Sequence, residues 1–63
     1  MSVSTAERKA AAKAAKEFRR AKNMPQWKLA EKLGTHQSIV SEAERGYPTV
    51  PPKLVRKLLE LSA

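Results

Sequence analysis

The side chains able to do chemistry in this chain are few, and they are gathered. Gln37, Ser38, Ser41 and Glu42 follow closely on Gly34-Thr35-His36. They offer an amide, two hydroxyls and a carboxylate, which are hydrogen-bond donors and acceptors with nothing beside them to activate a nucleophile. Such a set recognises by hydrogen bonding and does not make or break bonds. No nucleophile–base pair, metal-ligand set or glycine-rich phosphate loop occurs in the sequence. His36 is the sole histidine, and cysteine and aspartate are absent, so the imidazole has no partner for a metal site or a catalytic dyad. An enzyme is therefore not expected, nor is a cofactor, a metal or a small-molecule ligand. A chain of 63 residues is also too short to build a substrate pocket of ordinary size.

These side chains need an element to position them. Leu29, Ala30 and Leu33 recur at i, i+1, i+4, so one short helix buries one side. Gly34 follows directly, where a helix stop favours a residue that tolerates positive φ. Thr35 to Ser38 restart a helix in which Val40 and Ala43 recur at i, i+3, with Gly46 as a second stop. Two short helices joined through a glycine-centred turn make a helix-turn-helix. The second helix is then polar along Gln37, Ser38, Ser41 and Glu42, a face free to enter a groove. Gln37 has the chemistry to pair bidentately with adenine N6 and N7. Glu42 can accept from cytosine N4 and would reject an acceptor edge such as that of guanine. A solvated charge repelled by phosphate is the competing reading of Glu42.

Composition supports a polyanionic partner. Thirteen Lys and Arg oppose six acidic residues, all Glu, for a formal net charge of +7, a field suited to nucleic acid or an anionic membrane. No apolar run approaches the roughly 18 residues of a membrane span. Met1-Ser2-Val3-Ser4 lacks the basic-then-apolar layout of a secretory signal. A soluble, intracellular protein is expected, with no membrane partner. The length allows one small domain, which buries only about 60% of its unfolded surface and has no disulfide to staple it.

Ser4-Thr5-Ala6-Glu7 reads as a capping box. From there to Lys22 the chain is mostly Ala, Lys, Arg and Glu, without Gly or Pro, and predicts a long first helix. Lys9, Lys13, Lys16 and Arg20 stack on one stripe, and Ala11, Ala14, Ala15, Phe18 and Ala21 on the opposite one. Phe18 is the one large apolar side chain there, so only the C-terminal half is expected to dock. The N-terminal part admits three readings: a solvated helix whose first turns fray, a basic arm that gains order on phosphates, or an alanine face paired with a partner helix. Asn23-Met24-Pro25 breaks the helix, and Pro25 suits the first turn of the next one. Trp27 lies off the buried face and reads either as a half-exposed ring over its neighbours or as a DNA-backbone or dimer contact. Val50-Pro51-Pro52 predicts a last helix beginning at Pro51 or Pro52. Leu54, Val55, Leu58, Leu59 and Leu61 give that helix a broad apolar face, from which Leu59 or Leu61 is expected to be spare for a partner.

Taken in register, Gln26, Leu29-Ala30, Leu33-Gly34, Ser38, Val40, Glu44 and Gly46, with Phe18-Arg19 upstream and Pro48 downstream, resemble the lambda-repressor-like helix-turn-helix family of phage repressors, Cro proteins and bacterial regulators. The likeness spans roughly residues 17 to 61. It implies an all-α, four-helix helix-turn-helix domain (15–63); residues 1–14 fall outside the likeness and read as a basic N-terminal extension of a first helix longer than the family's. It implies a recognition helix at about 36–45 in the major groove of double-stranded DNA, with Gln37, Ser38, Ser41 and Glu42 on base edges. Gln26, Lys28, His36, Arg45 and Tyr47 are the expected backbone contacts. Arg19 and Glu44 match a pair that ties the first helix to the third. The chain departs from the family at Pro25, where relatives usually carry a capping Ser, Thr or Asn. Relatives act as dimers on half-sites about one helical turn apart, so weak self-association on DNA is expected, although the chain stops before the fifth helix many use for it. The implied role is phage- or mobile-element-like transcriptional regulation (repressor or Cro) in a bacterial cytoplasm, associated with the nucleoid. The alternatives are an excisionase-like or antitoxin-type accessory protein, and a protein-interaction module using the C-terminal leucine face.

Overall fold

Helix α1 (Thr5–Ala21) begins at Ser4, whose hydroxyl accepts from the Glu7 amide at 3.1 Å while the Glu7 carboxylate accepts from the Ser4 amide at 2.8 Å. That reciprocal pair satisfies two of the amides a helix start otherwise leaves unpaired. The computed structural model describes residues 3–61. Its other elements are α2 (Gln26–Leu33), α3 (Gln37–Glu44) and α4 (Pro52–Leu61), and no strand occurs among the described residues. The molecule is all-α, with an extended first helix.

Helices α1, α2 and α3 all end in the same way. Asn23, Gly34 and Gly46 each take positive φ, at 52°, 72° and 73°. At each, the amide of the following residue reaches five back: Met24 to Arg19, Thr35 to Ala30 and Tyr47 to Glu42, at 2.8, 2.9 and 3.1 Å. The left-handed residue's own amide reaches three back, to Arg20, Glu31 and Ala43. This paired arrangement closes the last carbonyls of a helix and turns the chain sharply. Pro25 caps α2 from outside, at φ −75° and ψ 163°, and does not occupy its first turn. Its carbonyl takes the amides of Lys28 and Leu29. Pro51 does the same for Leu54 and Val55, so α4 starts at Pro52.

The core gathers Leu29, Val40, Val50, Leu54, Val55 and Leu58 with Ala11, Ala15, Ala30 and Ala43. In α1 it is the middle that docks most deeply. Ala11, Ala12, Ala14 and Ala15 are buried, while Ala21 is exposed and Phe18 is only half-buried. Lys22 and Lys32 hold their ammonium groups over the Phe18 ring, at 5.3 and 6.0 Å. Val3 packs against the core ahead of the helix, and Arg8 donates to its carbonyl and to the Thr5 hydroxyl. The expectation of a loosely held N-terminal half is therefore corrected. Alanine contributes little area, but its short side chain lets α1 lie close to its neighbours, and distance between helix axes follows side-chain size. The spare leucine face is also corrected, because Leu59 and Leu61 pack against the same core.

Candidate nucleic-acid interface

The two faces of α3 are separated by its own periodicity. Val40 and Ala43 point inward and are buried. Gln37 and Ser38 are exposed, with Ser41 and Glu42 partly so; Ser38, Ser41 and Glu42 are turned away from Val40 and Ala43, and Gln37, one turn before Val40, stands at the edge of that face. His36 stands at the cap position with extended backbone, but its side chain makes no cap bond and is exposed. The first turn of α3 therefore keeps amides without a side-chain acceptor, at the positive end of the helix dipole.

What sets the angle of α3 is a knot of polar groups behind it. Arg19 on α1 meets Glu44 on α3 with two donors, Nε to one carboxylate oxygen and Nη2 to the other at 2.9 Å. Its third nitrogen donates to the Met24 carbonyl at 3.1 Å. Gln26, the first residue of α2, donates its amide to Glu44 Oε1 at 3.0 Å. The Glu44 side chain is only 8% exposed and that of Arg19 24%. Burial by itself pushes the Glu44 carboxyl up, but the bonds from Arg19 and Gln26, with the guanidinium charge, outweigh it and leave the group below its ordinary 4.5. The same bond to Glu44 raises Arg19. Three helices thus share one charged junction, and a fork-to-fork guanidinium–carboxylate pair fixes orientation as well as distance.

The edge beyond α3 is held separately. Thr49 donates its hydroxyl to Glu42 Oε1 at 2.7 Å, and the Tyr47 amide donates to the Glu42 carbonyl. Glu42 is therefore braced on one oxygen, which leaves the other to accept. Arg45 places its guanidinium 5.8 Å from the centre of the Tyr47 ring, and that ring is 45% exposed. At the start of α2, Lys28 lies over the Trp27 ring at 5.9 Å, and Trp27 is 54% exposed. Gln37, Ser38, Ser41 and Glu42 thus form one surface, with His36 at one end and Arg45 and Tyr47 at the other. Gln26 and Lys28 occupy the first turn of α2, and Gln26 is tied through Glu44 to the far end of α3. Thr49 escapes a reading of the sequence, because its bond to Glu42 spans seven residues and two changes of backbone direction, and no local pattern announces it.

The arrangement presents donors and acceptors at fixed spacing on one convex helix, flanked by cations and uncapped amides. That is suited to a grooved, negatively charged surface. Among the described residues no cluster of side chains could hold a metal ion, and no helix is long and apolar enough to cross a membrane. Comparison with known proteins gives one result: the model of a family described as helix-turn-helix matches residues 16–61. No curated protein and no solved structure matches the chain.

Proposed function

The chain belongs to the lambda-repressor-like helix-turn-helix family of DNA-binding regulators, and from that premise we propose that it reads a specific double-stranded sequence with α3 in the major groove. Gln37 and Glu42 carry the discrimination, the first toward adenine and the second toward cytosine, with Ser38 and Ser41 completing the contact. Gln26, Lys28, His36, Arg45 and Tyr47 grip the phosphates on either side and set register. Gln26 does so while bonded to Glu44, so backbone contact and helix angle are linked through one side chain. Weak self-association on DNA would place two copies on half-sites one helical turn apart. The role is that of a small phage-type repressor or Cro-like regulator, acting in a bacterial cytoplasm on the nucleoid.

The observation that supports this most is the division of labour in α3. Its polar face is turned out and left unspent apart from the Thr49 brace, while its inner face is locked by Arg19, Glu44 and Gln26. Selection of bound duplexes from a random pool tests the reading. Gln37→Ala and Glu42→Ala should each cost about 1–3 kcal/mol on the winning duplex and little on an unrelated one. An equal loss on every duplex would mean that these side chains touch only backbone.

A further inference from the structure

The outer face of α1 carries a charge pattern that the α3 surface does not use. Lys9, Lys13, Lys16 and Arg20 are all exposed, and none is hydrogen-bonded or within ion-pair distance of a described carboxylate; Lys16 acts on Glu44 only at longer range. They recur every three or four residues, so the cations form a row about 16 Å long. Neighbours three and four apart on a helix repel when alike, by about 0.2–0.5 kcal/mol per pair, and this row contains three such pairs. Glu17 lies four residues from Lys13, but the two make no ion pair. The helix therefore carries a repulsion that a polyanion would relieve.

The direction of the row matters as much as its charge. Ala11 and Ala15 of α1 and Val40 and Ala43 of α3 meet in one core. The lysine row is opposite Ala11 and Ala15 on its helix, and Ser38, Ser41 and Glu42 are turned away from Val40 and Ala43 on theirs. Each outer face is thus turned from that shared core. A membrane surface fits poorly, because the apolar side of α1 is consumed by the core and nothing remains to insert.

We propose that the outer face of α1 is a second, sequence-independent binding site for the phosphate backbone of double-stranded DNA, so that one chain can hold two duplex segments at once. The site takes its first duplex from the function proposed above, but its own contact is purely electrostatic. The test uses the full chain with Lys9, Lys13, Lys16 and Arg20 all changed to Gln, and a second variant carrying only Lys9→Gln and Lys13→Gln. Glutamine keeps helix propensity, and circular dichroism confirms folding. Wild-type protein is seated on an immobilised selected duplex, and its binding of a second, labelled duplex lacking that sequence is followed against salt. Four phosphates at about 0.9 each give this second step a slope of log K against log salt of about −3 to −4, falling to about half that in the twofold variant. Wild-type protein on an immobilised duplex should capture a second, labelled duplex, and the fourfold variant should not, while its preference for the selected sequence stays intact. An unchanged slope of the second step in the twofold variant, or undiminished capture by the fourfold variant, overturns the proposal. So does a wild type that captures no second duplex while the fourfold variant shows a weaker slope for the first, which would put the row on the same duplex as α3. Wild-type binding to phosphatidylserine vesicles with an unchanged duplex slope would assign the row to lipid instead and also overturns it. Loss of sequence preference in Gln37→Ala, with the row's slope intact, separates the two surfaces. Absence of any sequence preference in the wild type would remove the function proposed above without touching this one.

Discussion

Arg19 and Glu44 show how much a single pair can carry in a small protein. Glu44 is nearly enclosed and accepts three hydrogen bonds from two other helices. Removing the cation leaves a carboxylate that has already lost its water, so Arg19→Ala should cost about 2–3 kcal/mol. Replacing both, as Arg19→Met with Glu44→Leu, should cost less than either single change, because no orphaned charge remains. Urea denaturation of the four proteins measures this as a double-mutant cycle. The pair also predicts a pH dependence. The Glu44 carboxyl is lowered in the folded chain, so its contribution is complete above the ordinary carboxylate value near 4.5. It is lost as pH falls through the lower folded value. Arg19 is raised and stays charged throughout, so it adds nothing to that window. Stability should drop on acidification below about pH 4.5, and the double variant should show a shallower drop. A double variant with the same acid profile as wild type would remove Glu44 from the account.

The elements show which parts of the fold can be read from residue types. Gly34 and Gly46 announce two helix stops, because glycine takes positive φ without strain. A Cβ at either site would meet nothing within 4 Å, so the cost of substitution there is conformational alone. Gly34→Ala should destabilise by about 1–2 kcal/mol, and Gly34→Asn by less. Asn23 adopts the same backbone, but only the neighbouring Pro25 signals a break in the sequence. Asn23→Gly should therefore hold or raise the melting temperature, and a clear fall would show that the side chain does more than tolerate the turn. The docking of α1 is illegible for another reason. Alanine favours a helix whether it is buried or not, so the run around Ala11 to Ala15 predicts the helix and says nothing of its neighbours. Ala15 is fully buried where α1 meets the core, and Ala15→Leu should cost about 1–3 kcal/mol through overpacking. Val50, also buried, sits alone beside two prolines, with no periodicity to mark it. The polar face of α3 stands out in sequence because it interrupts an apolar period. The bonds of Gln26 to Glu44 and of Thr49 to Glu42 depend on how separate helices meet, which no local spacing encodes.

At the scale of the whole molecule, charge sets two opposing responses to salt. A net charge of +7 on 63 residues repels itself within a body no wider than 30 Å, a distance over which the field is only partly screened at low ionic strength. Added salt should therefore stabilise the free protein, most steeply below about 0.1 M, where the Debye length exceeds about 10 Å. The DNA complex should behave in the opposite way, because its affinity comes largely from counterions that salt pushes back onto the duplex. At low salt, duplex present at a hundred times Kd adds about 2.7 kcal/mol to folding stability. In a domain of this size each kcal/mol moves Tm by roughly 4–8 °C, so the complex should melt on the order of 10 °C or more above the free chain. As salt rises, Tm of the free protein should climb, Tm of the complex should fall, and the two curves should converge. Thermal melts by circular dichroism across a salt series, with and without duplex, measure both. Parallel curves would mean that the excess of lysine and arginine serves solubility alone and takes no part in holding DNA.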